Sequence, residues 1–189
     1  MTVNKCSIDW KFIGDREGFR TEGYVPSDKS GVTIASGFDL GQIDLQHLKT
    51  VLNQDLMAST IKMLTPYLGF KGDAARKLLH KHPLELTTAQ CYYLDTLVFK
   101  KHYEACKKEY NDHSDFSFDF LDTPKQTAIM SVSFQYGSLK KKCPKFFKSI
   151  TKGLWKEAVE ELRNFGDAYA PRRKLEADLL ESSLKKEIK

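Results

Sequence analysis

No apolar run in this 189-residue sequence approaches the length of a membrane-spanning helix, and the opening Met1–Lys11 lacks the apolar stretch of a secretory leader. Neither stable membrane insertion nor a signal peptide is expected. The four cysteines, Cys6, Cys91, Cys106 and Cys143, are too far apart for a zinc ribbon or a redox pair. They read as small apolar residues or free thiols, because a chain of this length does not need disulfides. The histidines (His47, His80, His82, His102 and His113) are scattered, with no acidic or cysteine ligand spaced to complete a metal site. No metal and no cofactor is expected. There is also no Gly-rich phosphate loop, nucleophile elbow, internal repeat or low-complexity tract. These absences argue against P-loop nucleotide chemistry and against the common serine hydrolases.

What is present suits one globular unit of ordinary size. Apolar residues make up 41%, enough for a substantial core, and charged residues 29%. The net charge of +5 is uneven. Met1–Gly137 holds 16 basic against 17 acidic residues, whereas Ser138–Lys189 holds 14 against 8. The basic excess therefore sits in the last quarter of the chain. It is compatible with solvated helices or with an anionic partner. Lys140-Lys141-Lys142 could touch a polyanion, but it lacks the interleaved aromatics of a single-strand nucleic-acid binder.

The pattern along the chain predicts an α+β, mainly α, protein. Ser7 or Asp9 can cap a first helix carrying Trp10, Ile13 and Glu17 on one face and stopping near Gly18. Tyr24-Val25-Pro26, the turn residues Ser27 to Gly31, and Val32-Thr33-Ile34 read as a β-hairpin. After Gly41 the apolar period becomes helical: Leu45, Leu48 and Leu52, then Met57, Ile61, Leu64 and Leu68 with Gly69 as a stop. Asp73 can open a short helix with Ala75, Leu78 and Leu79. Thr87 or Thr88 can open a long one with Cys91, Leu94, Leu97 and Val98 inward. Thr123 as N-cap, Pro124 at the first helical position and Gln126 closing a capping box mark the next. A helix over about 154–165 buries Trp155, Ala158, Val159 and Leu162, and the last begins at Pro171 with Leu175, Leu179 and Leu184 inward. Phe116, Phe118 and Phe120 read as core. The chain is expected to form one domain, 1–189, with a hairpin-containing lobe at 1–45 and a helical lobe at 46–189. An interlobe cleft is a natural ligand site.

Glu17 is the most informative single residue. Its neighbours one and two turns back are Ile13 and Trp10, so the carboxyl is expected to lean toward apolar surroundings at a helix end. Desolvation disfavours a charged carboxylate, and a carboxyl that keeps its proton near neutrality can protonate a leaving glycosidic oxygen. Such an acid needs a partner that activates water or stabilises positive charge on the sugar. Asp28 in the hairpin loop and Asp39 after Gly37-Phe38 are the nearby carboxylates. Thr33, facing away from Val32 and Ile34, could hold a water. Each has an ordinary alternative: Asp28 as a turn residue, Thr33 as a strand residue, Asp39 as a helix cap.

Glu17-Gly18-Phe19-Arg20, Tyr24 and Thr33-Ile34-Ala35-Ser36-Gly37 resemble the opening of phage-type lysozymes. Ser133-Phe134-Gln135-Tyr136-Gly137 resembles that family's Val-Phe-Gln-Met-Gly segment. Phe146, Ser149, Leu154-Trp155-Lys156-Glu157-Ala158 and Pro171-Arg172-Arg173 follow in family order. At the phage aspartate spacing from Glu17 stands Pro26, and Asp28 comes two positions late. The pesticin type, with Glu, Thr and an Asp six residues on, is more similar and maps to Glu17, Thr33 and Asp39. The resemblance implies a two-lobed phage-lysozyme-like fold. It implies a muramidase cutting the N-acetylmuramic acid to N-acetylglucosamine β-1,4 bond, with inversion, and Phe134 and Gln135 lining the saccharide cleft. It implies peptidoglycan strands as partner, an immunity protein if the chain is a toxin, and action in the periplasm or at the cell wall after delivery by another module or a secretion system. A monomer is expected. Two other classes fit the composition: a non-catalytic wall- or polyanion-binding module, and a nucleic-acid-binding helical domain. The second rests on charge alone, so no nucleic-acid partner is expected.

Overall fold

The computed structural model describes residues 8–52 and 54–187. It is mainly helical with one small antiparallel sheet of order β1-β2-β3. Backbone packing divides the chain into two compact units. One is Glu17–Lys100, and the other joins the segment through Arg16 to the segment from Lys101 onward. Cys6 and Ser7 lie outside the described residues.

In Glu17–Lys100 the sheet comprises β1 (Arg20–Tyr24), β2 (Thr33–Ala35) and β3 (Phe38–Asp39). The predicted hairpin is present, and a further turn returns the chain as β3. Tyr24 faces Thr33, Thr33 faces Asp39, and Ile34 faces Phe38. β2 is the central strand and Val32 through Ser36 are all buried. The expected alternation, with Thr33 turned to an open face, is therefore absent: both edges of β2 are paired and both of its faces are covered. A 3-10 turn, Leu40–Gln42, follows β3. Three helices come next: α2 (Leu45–Val51), α3 (Gln54–Leu64) and α4 (Gly72–Lys81). The expected helical run to Leu68 is shorter, because α3 stops at Leu64 and the chain tightens into a 3-10 turn, Thr65–Tyr67, around Pro66, which has no N–H to donate. Leu48, Leu52, Leu64 and Ala75 pack with Val32, Ile34, Leu40, Cys91 and Leu94 into this unit's core. Leu45 is instead exposed.

The long helix α5 (Thr88–Asn111) starts from a reciprocal cap: Gln90 N–H donates to the Thr87 hydroxyl and Thr87 N–H to the Gln90 carboxamide. The other unit contains α1 (Trp10–Glu17, up to Arg16), the later part of α5, and α6 (Thr123–Tyr136). It also contains α7 (Leu139–Lys142), α8 (Pro144–Thr151), α9 (Trp155–Arg163) and α10 (Ala170–Glu187). Ile13, Ile129, Val132, Phe146, Ile150 and Leu162 are in its core. Asp9 caps α1 through Phe12 N–H.

Four expectations shift here. The N-cap of α6 is Asp122, which accepts from Lys125 N–H at 3.0 Å, so Thr123 is the first helical residue. Gln126 closes no capping box; it is buried and donates to the Phe118 and Leu121 carbonyls. Of the three phenylalanines only Phe118 is core, while Phe116 and Phe120 are 64% and 72% exposed. On α10 the inward face carries Arg173, Glu176, Ala177 and Leu180, and Leu175 is exposed. A buried ion pair takes the inward place that periodicity favoured for Leu175, while Leu179 is half-buried and Leu184 packs against the core.

Candidate active site

Glu17 is the final residue of α1 and is half-buried. Gly18 follows at φ 71, a left-handed conformation that stops the helix and that L side chains resist. Ile13, one turn back, is fully buried, and Trp10 packs against the same core. Arg16 lies over the Phe12 ring at 3.6 Å and donates to the Phe12 carbonyl.

Thr33 and Asp39, six residues apart, are opposite one another across β2 and β3. The turn between them is unusual. Ala35 has φ 53, rare for a residue with a side chain, and Gly37 has φ 100. Asp95, on α5, holds this turn: its Oδ1 accepts from Ser36 N–H at 2.9 Å and its Oδ2 from the Ser36 hydroxyl at 2.8 Å. Burial pushes the Asp95 carboxyl above its ordinary range, and the two Ser36 donors partly offset this.

The Asp39 carboxylate sits in a backbone cradle. Its Oδ1 accepts from Gly31 N–H at 2.9 Å and Gly41 N–H at 2.8 Å, and its Oδ2 lies 3.4 Å from the Gln42 amide nitrogen. The cap role is thus real, and it comes with a second amide from across the turn. Only glycine permits this crossing. A Cβ on Gly31 would lie 2.4 Å from the Gly41 Cα, and one on Gly41 would lie 2.6 Å from the Gly31 Cα. The carboxylate is fixed by neutral N–H dipoles, so its negative charge is not cancelled by a cation. The Thr33 hydroxyl is buried and donates to the Gly31 carbonyl at 3.2 Å. What it can offer a water is acceptor lone pairs.

Asp28 has a different setting. Its side chain is 88% exposed and paired with Arg76 at 2.5 Å, and Arg76 also holds Asp73 at 2.7 Å. Phe134 and Gln135 belong to the other unit, in the last turn of α6. The Phe134 ring is 4.6 Å from that of His102, whose pKa is lowered by burial and by the charge of Lys101. The Gln135 carboxamide oxygen accepts from Arg173, so Gln135 can offer a ligand its N–H donors. Arg173 is buried and also pairs with Glu176 and with Asp167. Among the described residues no group of three His, Cys, Asp or Glu side chains is placed to hold a metal ion.

Sequence reasoning missed Gly31, Gly41, Ser36 and Asp95. The available signal was faint: two glycines flanking Asp39, and one acid on the inward face of α5 beside Cys91 and Leu94. Comparisons with known proteins bear on the family and the fold. The family profile described as "Pesticin: Bacterial toxin homologue of phage lysozyme, C-term" matches residues 7–156. A crystal structure of the active form of the phage P1 endolysin Lyz superposes with a TM-score of 0.53 at 16% identity, covering 92% of this chain and 83% of that one. That likeness establishes the fold. No curated protein sequence matches. With 150 of its residues matched in order by that profile, the chain belongs to the pesticin family of phage-lysozyme homologues.

Proposed function

We propose that the protein is a muramidase that cuts the β-1,4 bond between N-acetylmuramic acid and N-acetylglucosamine in peptidoglycan, as a bacteriolytic toxin. The observation that carries this reading is the Asp39 carboxylate, cradled by two glycine amides and facing Thr33 across the sheet. Glu17 gives its proton to the glycosidic oxygen as the bond from C1 to that oxygen breaks. A water attacks C1, and Asp39 takes the proton that water releases. Thr33 steadies the water through its hydroxyl oxygen. Phe134 and Gln135 contact saccharide, with Arg173 fixing which face of the Gln135 amide is offered. Asp39 is preferred to Asp28 because Asp28 is exposed and already neutralised by Arg76. A toxin of this kind reaches the wall by delivery from outside the cytoplasm and is paired with an immunity protein.

The test is release of reducing ends from purified peptidoglycan. Glu17→Gln should lower the rate by at least about 100-fold. Asp39→Asn should lower it by a similar factor and Asp28→Asn by little. Retention of wall without new ends in the wild type would show a binding module. Loss in Asp28→Asn alone would remove Asp39 from the role.

A further inference from the structure

The basic excess of the last quarter splits into two halves that behave differently. Every basic residue from Arg163 through Lys185 is ion-paired. Arg163 meets Glu181 at 3.1 Å, Arg172 meets Glu176 at 3.1 Å, Arg173 meets Asp167 at 2.9 Å, and Lys174 and Lys185 meet Asp178 and Glu181 at 2.7 and 2.8 Å. Between Ser138 and Lys156 there are seven lysines and no acid. All seven are exposed, and among the described residues no carboxylate lies within ion-pair distance of any of them. One, Lys140, contacts the His113 ring nitrogen at 2.8 Å. Among the basic side chains of this quarter that the structure describes, those without an ion pair therefore lie on α7, α8, the turn that follows and the first turn of α9.

Local structure explains why this charge is held outward. Leu139, Cys143, Phe146, Phe147 and Ile150 are buried on the inner side of α7 and α8. Lys141 on α7, Lys145 and Lys148 on α8 and Lys152 at the end of α8 are all exposed. Like charges this close in the chain repel, and among the described residues no carboxylate pairs with them.

We infer that this lysine face is a docking surface for the anionic polymer of the bacterial wall, a strand bearing repeated carboxylate or phosphate groups. Charge complementarity selects an anion, and the composition of the face selects which one. Between 138 and 156 one large apolar residue, Leu154, is exposed, at 40%, so the face lacks the continuous apolar side by which an interfacial helix enters a bilayer. It has no arginine and no exposed aromatic for stacking on bases or for bidentate phosphate contacts. What remains is a row of strongly hydrated point charges suited to a flexible, heavily charged polymer recognised by charge density. The identity of that polymer rests on the muramidase reading, whereas the existence of the surface does not.

The experiment sediments the protein with purified sacculi at about 50 and about 200 mM salt. A variant K141Q/K145Q/K148Q/K152Q is compared with the paired-lysine control K174Q/K185Q. The first should bind roughly tenfold more weakly at low salt and lose most of its salt dependence; the control should bind as the wild type. Sacculi whose carboxylates have been amidated and whose phosphate polymers have been stripped should bind wild type and quadruple variant alike. Equal binding of the quadruple variant to untreated sacculi would overturn the inference. So would tighter, lysine-dependent binding to anionic phospholipid vesicles or duplex DNA than to sacculi. Release of reducing ends from a soluble, uncharged peptidoglycan fragment is read in parallel. It should be unchanged in the quadruple variant. If the wild type releases none, the muramidase reading fails, while the lysine-dependent binding stands as a separate result.

Discussion

Asp39 and Asp95, in the sheet-bearing unit, are held by neutral donors: glycine N–H groups for one, the N–H and hydroxyl of Ser36 for the other. Glu176 and Asp167, in the other unit, add guanidinium groups to their neutral donors: Arg172 and Arg173 beside the Ser131 hydroxyl for the first, and Arg173 beside the Tyr136 hydroxyl and Tyr169 N–H for the second. The two arrangements serve different ends. An anion fixed by amide dipoles is oriented without a countercharge beside it, which leaves its negative charge uncancelled. An anion fixed by a buried cation is neutralised, and the pair locks helices together instead. In the second unit that lock ties α10 to α6, since Arg172 also donates to the Ser131 carbonyl at 2.9 Å and Arg173 to Gln135.

The largest effect should come from breaking the cationic lock. Arg173→Met removes one of the two guanidinium partners of the fully buried Glu176, and the guanidinium partner of Asp167. A loss of about 3–5 kcal/mol in urea unfolding is expected. The double change Arg173→Met with Glu176→Met should recover part of it, because the fully buried Glu176 charge goes with its partner, while Arg172 and Asp167, at 11% and 15% side-chain exposure, each lose one contact. A loss below about 1 kcal/mol for the single change would mean that the network is ornamental and the contrast is false.

A smaller effect should follow from cutting the neutral clamp. Asp95→Ala leaves the Ser36 N–H and hydroxyl without their acceptor inside a buried turn, at about 1–3 kcal/mol. Asp95→Asn keeps an acceptor for the N–H and should cost less. Because Ser36 lies between Thr33 and Asp39, the alanine variant should also lower kcat more than it changes KM for reducing-end release, and asparagine should restore most of that rate. Equal kcat for wild type and Asp95→Ala would make the clamp a matter of stability only.

The helices of both units were legible because one face of each repeats apolar residues at the helical period, and the hairpin because turn residues separate two β-rich runs. The cap of α6 was legible to within one residue: Asp122 and Thr123 are both good caps, and only the backbone decides between them. Asp39 was legible as a cap, and the family pattern marked it as a candidate. Its cradle was not, since the approach of Gly31 to Gly41 is a tertiary contact between residues that each read as ordinary turn glycines. Arg173 and Glu176 were not legible as core, because periodicity assigns charge to the solvent side and cannot see two opposite charges burying each other. The same rule misplaced Leu175. Phe116 and Phe120 were misread for the converse reason, since an apolar side chain does not oblige the fold to cover it.

The smallest effect, and the one that separates the two arrangements by sign, is in the dependence of stability on pH. Burial raises the Asp95 pKa above 3.8, with the Ser36 donors opposing. Between 3.8 and that raised value the folded state binds more protons than the unfolded one, so Asp95 makes stability fall as pH rises. For Asp167, burial pushes upward, but the Tyr136 hydroxyl, the Arg173 guanidinium and the Tyr169 N–H, with the charge of Arg173, outweigh it and hold the pKa below 3.8. Its contribution is complete above 3.8 and is lost as pH falls through the lowered value. The difference in unfolding free energy between wild type and Asp95→Asn should therefore slope downward with pH above about 4, while that between wild type and Asp167→Asn should slope upward with pH below about 4. Two slopes of the same sign would show that the amide-held and cation-held carboxylates sit in equivalent electrostatic settings, and the division between the units would lose its physical basis.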